Sequence, residues 1–123
     1  MKFYRNNTSD PVTLYIQGVD IFGNKTLDTS VTNIAGGYSD FIDIGYTNSA
    51  DIWFKFGNGT LLKSAKITRD KNGFYSVTDQ QTGAALCNSG NNPMPGSFDI
   101  SISDNNVKGH RTYTLDCDYH IMP

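Results

Sequence analysis

Glutamate is absent from this 123-residue chain, and alanine, histidine and cysteine are scarce. All twelve acidic residues are aspartates, whereas glycine and asparagine each occur twelve times. A chain that lacks the best helix formers and is rich in turn formers is not expected to build even one long helix. No apolar run approaches the roughly 18 residues of a membrane-spanning helix, so the sequence predicts no transmembrane segment.

The net charge of −2 argues against a general nucleic-acid binder. Basic residues concentrate between positions 55 and 71, with acidic segments on either side. They fall on both faces of the strands predicted there, which is typical of ordinary solvated strand faces. The alternative interpretation is a basic, aromatic edge that meets anionic lipid headgroups.

The centre of the chain, residues 51–79, predicts three strands joined by two tight turns. Ile52 and Phe54 alternate with Trp53 and Lys55, the period of two that sends successive side chains to opposite faces of a sheet. Glycines in the segments 57–59 and 70–73 supply the left-handed conformation that tight hairpin turns need. Three antiparallel strands with one hydrophobic face are about the smallest stable sheet.

The remainder of the chain continues this pattern. Residues 12–17 predict a half-buried strand, and the weaker alternation in 27–34 predicts an edge strand. Residues 104–109 are rich in turn formers and predict a turn between the last two strands. Some nine or ten short strands without a helical interval predict an all-β fold, a single antiparallel β-sandwich domain that spans residues 1–123.

The two cysteines, Cys87 and Cys117, leave two alternatives open. They close one disulfide, or they are two buried free thiols in a cytosolic protein. No basic and then apolar signal segment opens the chain, so a mature, a non-classically exported and a cytosolic protein all fit. Of these, we predict a secreted or extracellular protein.

Catalytic and metal-binding patterns are weak. The chain offers only His110 and His120, without a Gly-x-Ser-x-Gly elbow for a nucleophilic serine. A match to a calcium loop at 68–79 is poor, and a hairpin turn explains it better. Asp116 and Asp118 alternate with His120, but solvated polar positions are the simpler explanation. We therefore predict no catalytic residue, no metal and no cofactor.

Four short segments resemble the aegerolysin family: residues 2–25 (KFYRNNTSDPVTLYIQGVDIFGNK), 34–39 (IAGGYS), 96–100 (GSFDI) and 113–117 (YTLDC). The last is similar to the Trp-Asp-Cys motif of that family, with Leu115 in place of the tryptophan and Asp118 in place of the proline that follows. The resemblance implies a small antiparallel sandwich that binds membrane lipid and assists a partner protein in forming pores.

The function that these observations favour is recognition without catalysis. The predicted partner is a membrane lipid or a glycan surface, in a cytolytic or pore-forming toxin system. Aromatic rings beside turn residues are often partly exposed, so the candidate ligand-binding residues are Tyr38, Tyr46, Trp53 and Tyr75. The alternative is a protein–protein interaction module, such as an inhibitor, an immunity protein or an assembly subunit, that pairs through the edge strand at 27–34.

Overall fold

The computed structural model describes residues 2–42, 48–89 and 96–121. This part of the chain contains ten strands and no helix. The strands are β1 (Lys2–Asn7), β2 (Val12–Val19), β3 (Lys25–Ile34), β4 (Ser39–Ile42), β5 (Ser49–Lys55), β6 (Leu61–Arg69), β7 (Tyr75–Asp79), β8 (Ala85–Asn88), β9 (Gly96–Val107) and β10 (His110–Ile121).

The strands form two sheets. One has four strands in the order β10-β9-β1-β4, and the other has six in the order β3-β2-β5-β6-β7-β8. All neighbouring pairs are antiparallel except β1 and β9, which run parallel. The predicted all-β sandwich is confirmed, with this one parallel pair added.

The period of two along the strands produces the core. Val12, Leu14 and Ile16 of β2 are almost completely buried, while the residues between them lie on the outer face of the six-stranded sheet. β5 repeats the pattern with Ile52 and Phe54. From the four-stranded sheet, β9 and β10 contribute Phe98, Ile100, Ile102 and Leu115 to the same buried cluster. Aromatic contacts cross between the sheets: Phe56 meets Tyr113 and Tyr75 meets Phe98.

Two of the local predictions are confirmed. Residues 51–79 form three consecutive strands, β5 to β7, inside the six-stranded sheet. The weakly alternating segment 27–34 lies in β3, which among the described strands pairs with β2 alone and is an edge strand.

The turn predicted at 104–109 is wrong in its length. β9 continues to Val107 and β10 starts at His110, so the turn contains only Lys108 and Gly109. Both have positive φ, 54° and 78°, as a two-residue type I′ hairpin turn requires. Pairing with the partner strand therefore extends through Asn105 and Asn106, although asparagine is more typical of turns.

Cys87 and Cys117 form a disulfide with Cα atoms 5.7 Å apart. Cys87 lies on β8, the edge of the six-stranded sheet, and Cys117 lies on β10, the edge of the four-stranded sheet. The bond therefore joins the two sheets along one side of the sandwich, and the alternative of two free thiols is excluded.

Candidate functional site

The turn between β2 and β3 presents two large apolar side chains to solvent. The backbone amide of Asp20 donates to Asn24 O at 2.9 Å, and its carboxylate Oδ1 accepts from the amides of Phe22 and Asn24, each at 2.9 Å. These bonds hold the central residues of the turn away from the sheet. Ile21 is consequently 72% exposed and Phe22 is 81% exposed. We call these two residues the apolar tip.

The turn between β6 and β7 is built in the same way. Asp70 Oδ1 accepts from the amides of Asn72 at 2.8 Å and Phe74 at 3.0 Å. Gly73 follows with φ of 87°, where a side chain would be strained, so the chain can turn back into β7. In both turns the sequence explains the conformation, because a short polar side chain stands at the start and a glycine near the end.

Both turns lie at the same end of the six-stranded sheet. The residues that precede them, Val19 and Thr68, both pair with Ser49. Asn48 connects them directly: its amide donates to Val19 O at 2.7 Å, and its carbonyl accepts from the amide of Arg69 at 2.9 Å. Residues 19–25, 48 and 69–74 therefore form one surface, which we call the turn end.

A cleft of ≈ 530 Å³ separates the two turns, and basic side chains line one wall of it. The Arg69 guanidinium lies 5.5 Å from the centre of the Tyr75 ring, a cation–π distance. Lys71 is exposed and forms no ion pair with any residue of the described segments. The turn end thus combines an exposed apolar tip with two cations, while the carboxylates of Asp20 and Asp70 each use one oxygen to hold a turn.

A second feature occupies the outer face of the six-stranded sheet. Tyr15 and Trp53 are direct cross-strand neighbours, with ring centroids 5.4 Å apart and an interplanar angle of 37°. The Tyr15 hydroxyl donates to Asp28 and accepts from Gln17 Nε2 at 3.2 Å. The hydrogen bond to Asp28, with burial and the negative charge of Asp28 adding to it, raises the pKa of Tyr15. Lys55 Nζ lies 6.0 Å from the Tyr15 ring centre.

A smaller pocket of ≈ 200 Å³ adjoins this aromatic pair and extends toward the turn end. It is lined by Gln17, Gly18, Val19, Lys25, Ser49, Asp51 and Lys66. Lys66 Nζ lies 3.9 Å from Asp51 Oδ1, a loose ion pair that leaves the ammonium able to donate, and the carboxylate able to accept, further hydrogen bonds. Asp51 Oδ1 also accepts from Gln80 Nε2.

The aromatic residues predicted from sequence occupy different parts of the molecule. Trp53 lies on the outer face, whereas Tyr75 is half-buried on the core side of the same sheet, against Phe98. Tyr38 is half-exposed in the connection between β3 and β4, where its carbonyl accepts from the amide of Asn6 at 3.1 Å. Tyr46 lies outside the described residues. The structure therefore does not assemble Trp53 and Tyr75 into one site.

Sequence reasoning missed the apolar tip. The available signal was the segment from Asp20 to Asn24, in which two large apolar residues occupy the central positions of a turn that ends in Gly-Asn. Side chains at those positions have no sheet face to pack on, so Ile21 and Phe22 should have been recognised as exposed.

In the part of the chain that the structure describes, no helix is long and apolar enough to cross a membrane. No cluster of three or more metal-ligating side chains occurs there either. Comparison with protein-family models, with curated proteins and with solved structures found no match.

Proposed function

We propose that this protein recognises membrane surfaces without catalysis and that the turn end is the part that meets the bilayer. The observation that carries the proposal is the apolar tip, because a phenylalanine that is 81% exposed beside an isoleucine that is 72% exposed has no role in the core. Side chains of this kind insert at the boundary between headgroups and acyl chains. The resemblance to the aegerolysin family supports the same function.

The magnitudes favour weak, reversible binding. Burial of each of the two tip side chains contributes about 1.5–3 kcal/mol, and each basic residue near an anionic surface contributes about 1 kcal/mol. Arg69 and Lys71 line one wall of the cleft and supply the electrostatic attraction to an anionic surface. The carboxylates of Asp20 and Asp70 weaken that attraction. Binding is therefore expected to depend on the apolar tip in every lipid mixture and to strengthen when anionic lipid is added.

An extracellular location and a role in a cytolytic or pore-forming system belong to the same proposal. The disulfide supports the first, since such bonds form and persist in oxidising compartments. The second is supported by the family resemblance, in which the lipid-binding protein acts with a partner.

Co-sedimentation with vesicles tests the proposal. The vesicles contain phosphatidylcholine alone, phosphatidylcholine with phosphatidylserine, or sphingomyelin with cholesterol. Phe22→Ser is expected to weaken binding roughly tenfold or more, because it removes the larger tip side chain. The matched control is Val107→Ser, which changes an exposed valine beside the β9–β10 turn. That turn lies at the opposite end of the sandwich, where Arg111 pairs with Asp10 just before β2.

A second pair of variants separates charge from apolar insertion. The double variant Arg69→Gln, Lys71→Gln is expected to lose the preference for phosphatidylserine while keeping binding to phosphatidylcholine. Lys108→Gln, in the β9–β10 turn at the opposite end, serves as its control. Equal pelleting of the wild type and Phe22→Ser, or no pelleting with any vesicle, would overturn the membrane proposal.

A protein partner is the second candidate, and the position of β3 favours it. β3 is ten residues long, and its outer edge has no neighbouring strand among the described residues. Its two charged residues, Lys25 and Asp28, already pair with each other at 3.3 Å. Unpaired charge therefore does little to prevent another strand from pairing with this edge. Partner capture in lipid-free solution that survives Phe22→Ser and is lost with Ser30→Lys, which places a charge on the edge strand, would select this function.

A further inference from the structure

We propose a saccharide-binding platform on the outer face of the six-stranded sheet, in which a pyranose ring stacks on Tyr15 and Trp53 and its hydroxyl groups bind the polar side chains of the adjoining pocket. This inference goes beyond membrane recognition, and it uses different residues from the apolar tip. Its first support is orientation: Tyr15 and Trp53 alternate with core residues and therefore face away from the core.

The paired rings offer the right chemistry for a sugar. One face of a pyranose ring presents a patch of C–H groups, which carry partial positive charge. The face of an aromatic ring carries the negative part of its quadrupole, so the two surfaces attract and exclude water between them. Tyr15 is held in place by its hydrogen bonds to Asp28 and Gln17, so the platform is formed before a ligand arrives.

The neighbouring pocket supplies the hydrogen-bonding groups that sugar hydroxyls need. Gln17 and Ser49 both donate and accept, Asp51 accepts, and Lys25 and Lys66 donate. A hydroxyl group is both a donor and an acceptor, so it can bind this mixture of groups at once. A few polar groups beside an apolar surface are the usual composition of a small-molecule site.

Other occupants fit this face less well. A peptide strand would need free backbone groups, but β2 and β5 are interior strands whose ladders are paired on both sides. An acyl chain would meet a pocket that holds Lys25, Asp51 and Lys66. A nucleic acid needs a surplus of positive charge, but Lys25 and Lys66 are each paired with a carboxylate, Asp28 and Asp51, in a protein of net charge −2. A neutral, hydroxyl-rich ring needs no free backbone groups, tolerates charged side chains beside it and requires no surplus of positive charge.

Trp53 is the only tryptophan, so it reports directly on occupancy of the platform. The experiment screens the folded protein on a panel of immobilised glycans. Binding is then measured by Trp53 fluorescence and isothermal calorimetry with cellohexaose, maltohexaose, chitohexaose and any hit from the panel. We expect saturable binding of at least one of these oligosaccharides, with a change in Trp53 emission.

Calorimetry on variants tests the assignment of the site. Trp53→Ala is expected to weaken binding at least tenfold, and Tyr15→Phe, which keeps the ring and loses the hydroxyl, to weaken it less than Tyr15→Ala does. Asp118→Asn, an exposed position on β10 of the other sheet, is the matched control and is expected to bind as the wild type does. Thermal unfolding followed by circular dichroism verifies that each variant is folded.

A sugar of this kind occurs as a free oligosaccharide or as the headgroup of a glycolipid. Binding of the free oligosaccharide is therefore compared with binding to vesicles that carry the same sugar on a glycolipid. Phe22→Ser is expected to retain binding of the free sugar even where it loses binding to plain vesicles, so the platform and the membrane proposal can fail independently. No binding on the panel and no saturation by any hexasaccharide would overturn the inference, as would unchanged affinity in a folded Trp53→Ala variant.

Discussion

At the scale of single residues, Asp79 shows how one carboxylate both shapes a turn and carries a buried charge. Its Oδ1 accepts from the amides of Gln81 at 2.8 Å and Thr82 at 3.2 Å, and its Oδ2 lies 2.8 Å from Lys63 Nζ. The side chains of Asp79 and Lys63 are only 8% and 14% exposed. Burial alone would raise the pKa of Asp79, but the ion pair and the two amide donors outweigh it and hold that pKa below its ordinary value.

This arrangement predicts acid sensitivity of the folded state. Because the pKa of Asp79 is lower in the folded than in the unfolded protein, its stabilising effect is complete above about pH 4 and is lost as the pH falls through the folded value. Asp79→Asn is expected to cost about 1–3 kcal/mol at pH 7. It should also flatten the pH dependence of stability below pH 4. Urea unfolding between pH 7 and pH 3 measures both effects.

Asp118→Asn is the control for this prediction, because Asp118 is exposed and has no ion pair within the described segments. An equal loss of stability on acidification in the wild type and in Asp79→Asn would contradict the assignment.

At the scale of elements, the connection between β3 and β4 is held against the loop after β1. Asn6 is fully buried, and its side-chain amide donates to Ile34 O at 2.8 Å and to Asp10 O at 2.9 Å. The amide of Gly37 donates to Asn6 O at 2.7 Å. These bonds bring Gly36 so close to the backbone oxygen of Thr8 that a Cβ atom there would collide with it. Only glycine fits at this contact between two loops.

Gly36→Ala is therefore expected to destabilise the protein by about 1–3 kcal/mol, since backbone rather than a flexible side chain must move. Gly57→Ala is the matched control: a Cβ atom at Gly57 would meet open space, and its φ is not positive. That substitution is expected to be neutral or to stabilise by about 0.4–1 kcal/mol, because alanine restricts the unfolded chain. Chemical denaturation compares the two, and equal effects would refute the close contact.

At the scale of the whole molecule, the disulfide closes one side of the sandwich. Cys87 and Cys117 are 30 residues apart, and their bond ties the edge strands β8 and β10 together. The sheets are also joined by the packed side chains of one hydrophobic cluster and by the hydrogen bond from the Asn6 side chain on β1 to Ile34 O on β3. We therefore expect the reduced protein to keep its fold with a smaller margin of stability.

The double variant Cys87→Ala, Cys117→Ala is expected to lose about 3–4 kcal/mol, because the unfolded chain regains the entropy that a loop of this length restricts. This loss corresponds to a decrease in melting temperature on the order of 10 °C. Thermal unfolding of the variant, and of the wild type with and without a reductant, measures it. A melting temperature that neither treatment changes would show that the disulfide does not stabilise the sandwich.

The amino-acid sequence by itself determined the strands and the fold class. Alternation in 12–17 and 51–55 defined which residues are buried, because a strand has only two faces and one must cover the core. The turns at 57–59 and 70–73 were predictable from glycine and short polar side chains, whose conformational preferences act locally. Weak alternation at 27–34 indicated the edge strand, because a strand at the edge of a sheet has faces that are poorly covered and does not need a strict apolar side.

Only the tertiary structure decided which distant elements meet. The parallel pairing of β1 with β9 and the disulfide depend on contacts between strands far apart in sequence, and the length of the β9–β10 hairpin depends on pairing along both of its strands. The candidate sites depend on them too: strand order brings the turns at 20–24 and 70–74 to one end, and register brings Tyr15 beside Trp53. Local propensity cannot specify such pairings, because they are chosen by the packing of the whole core.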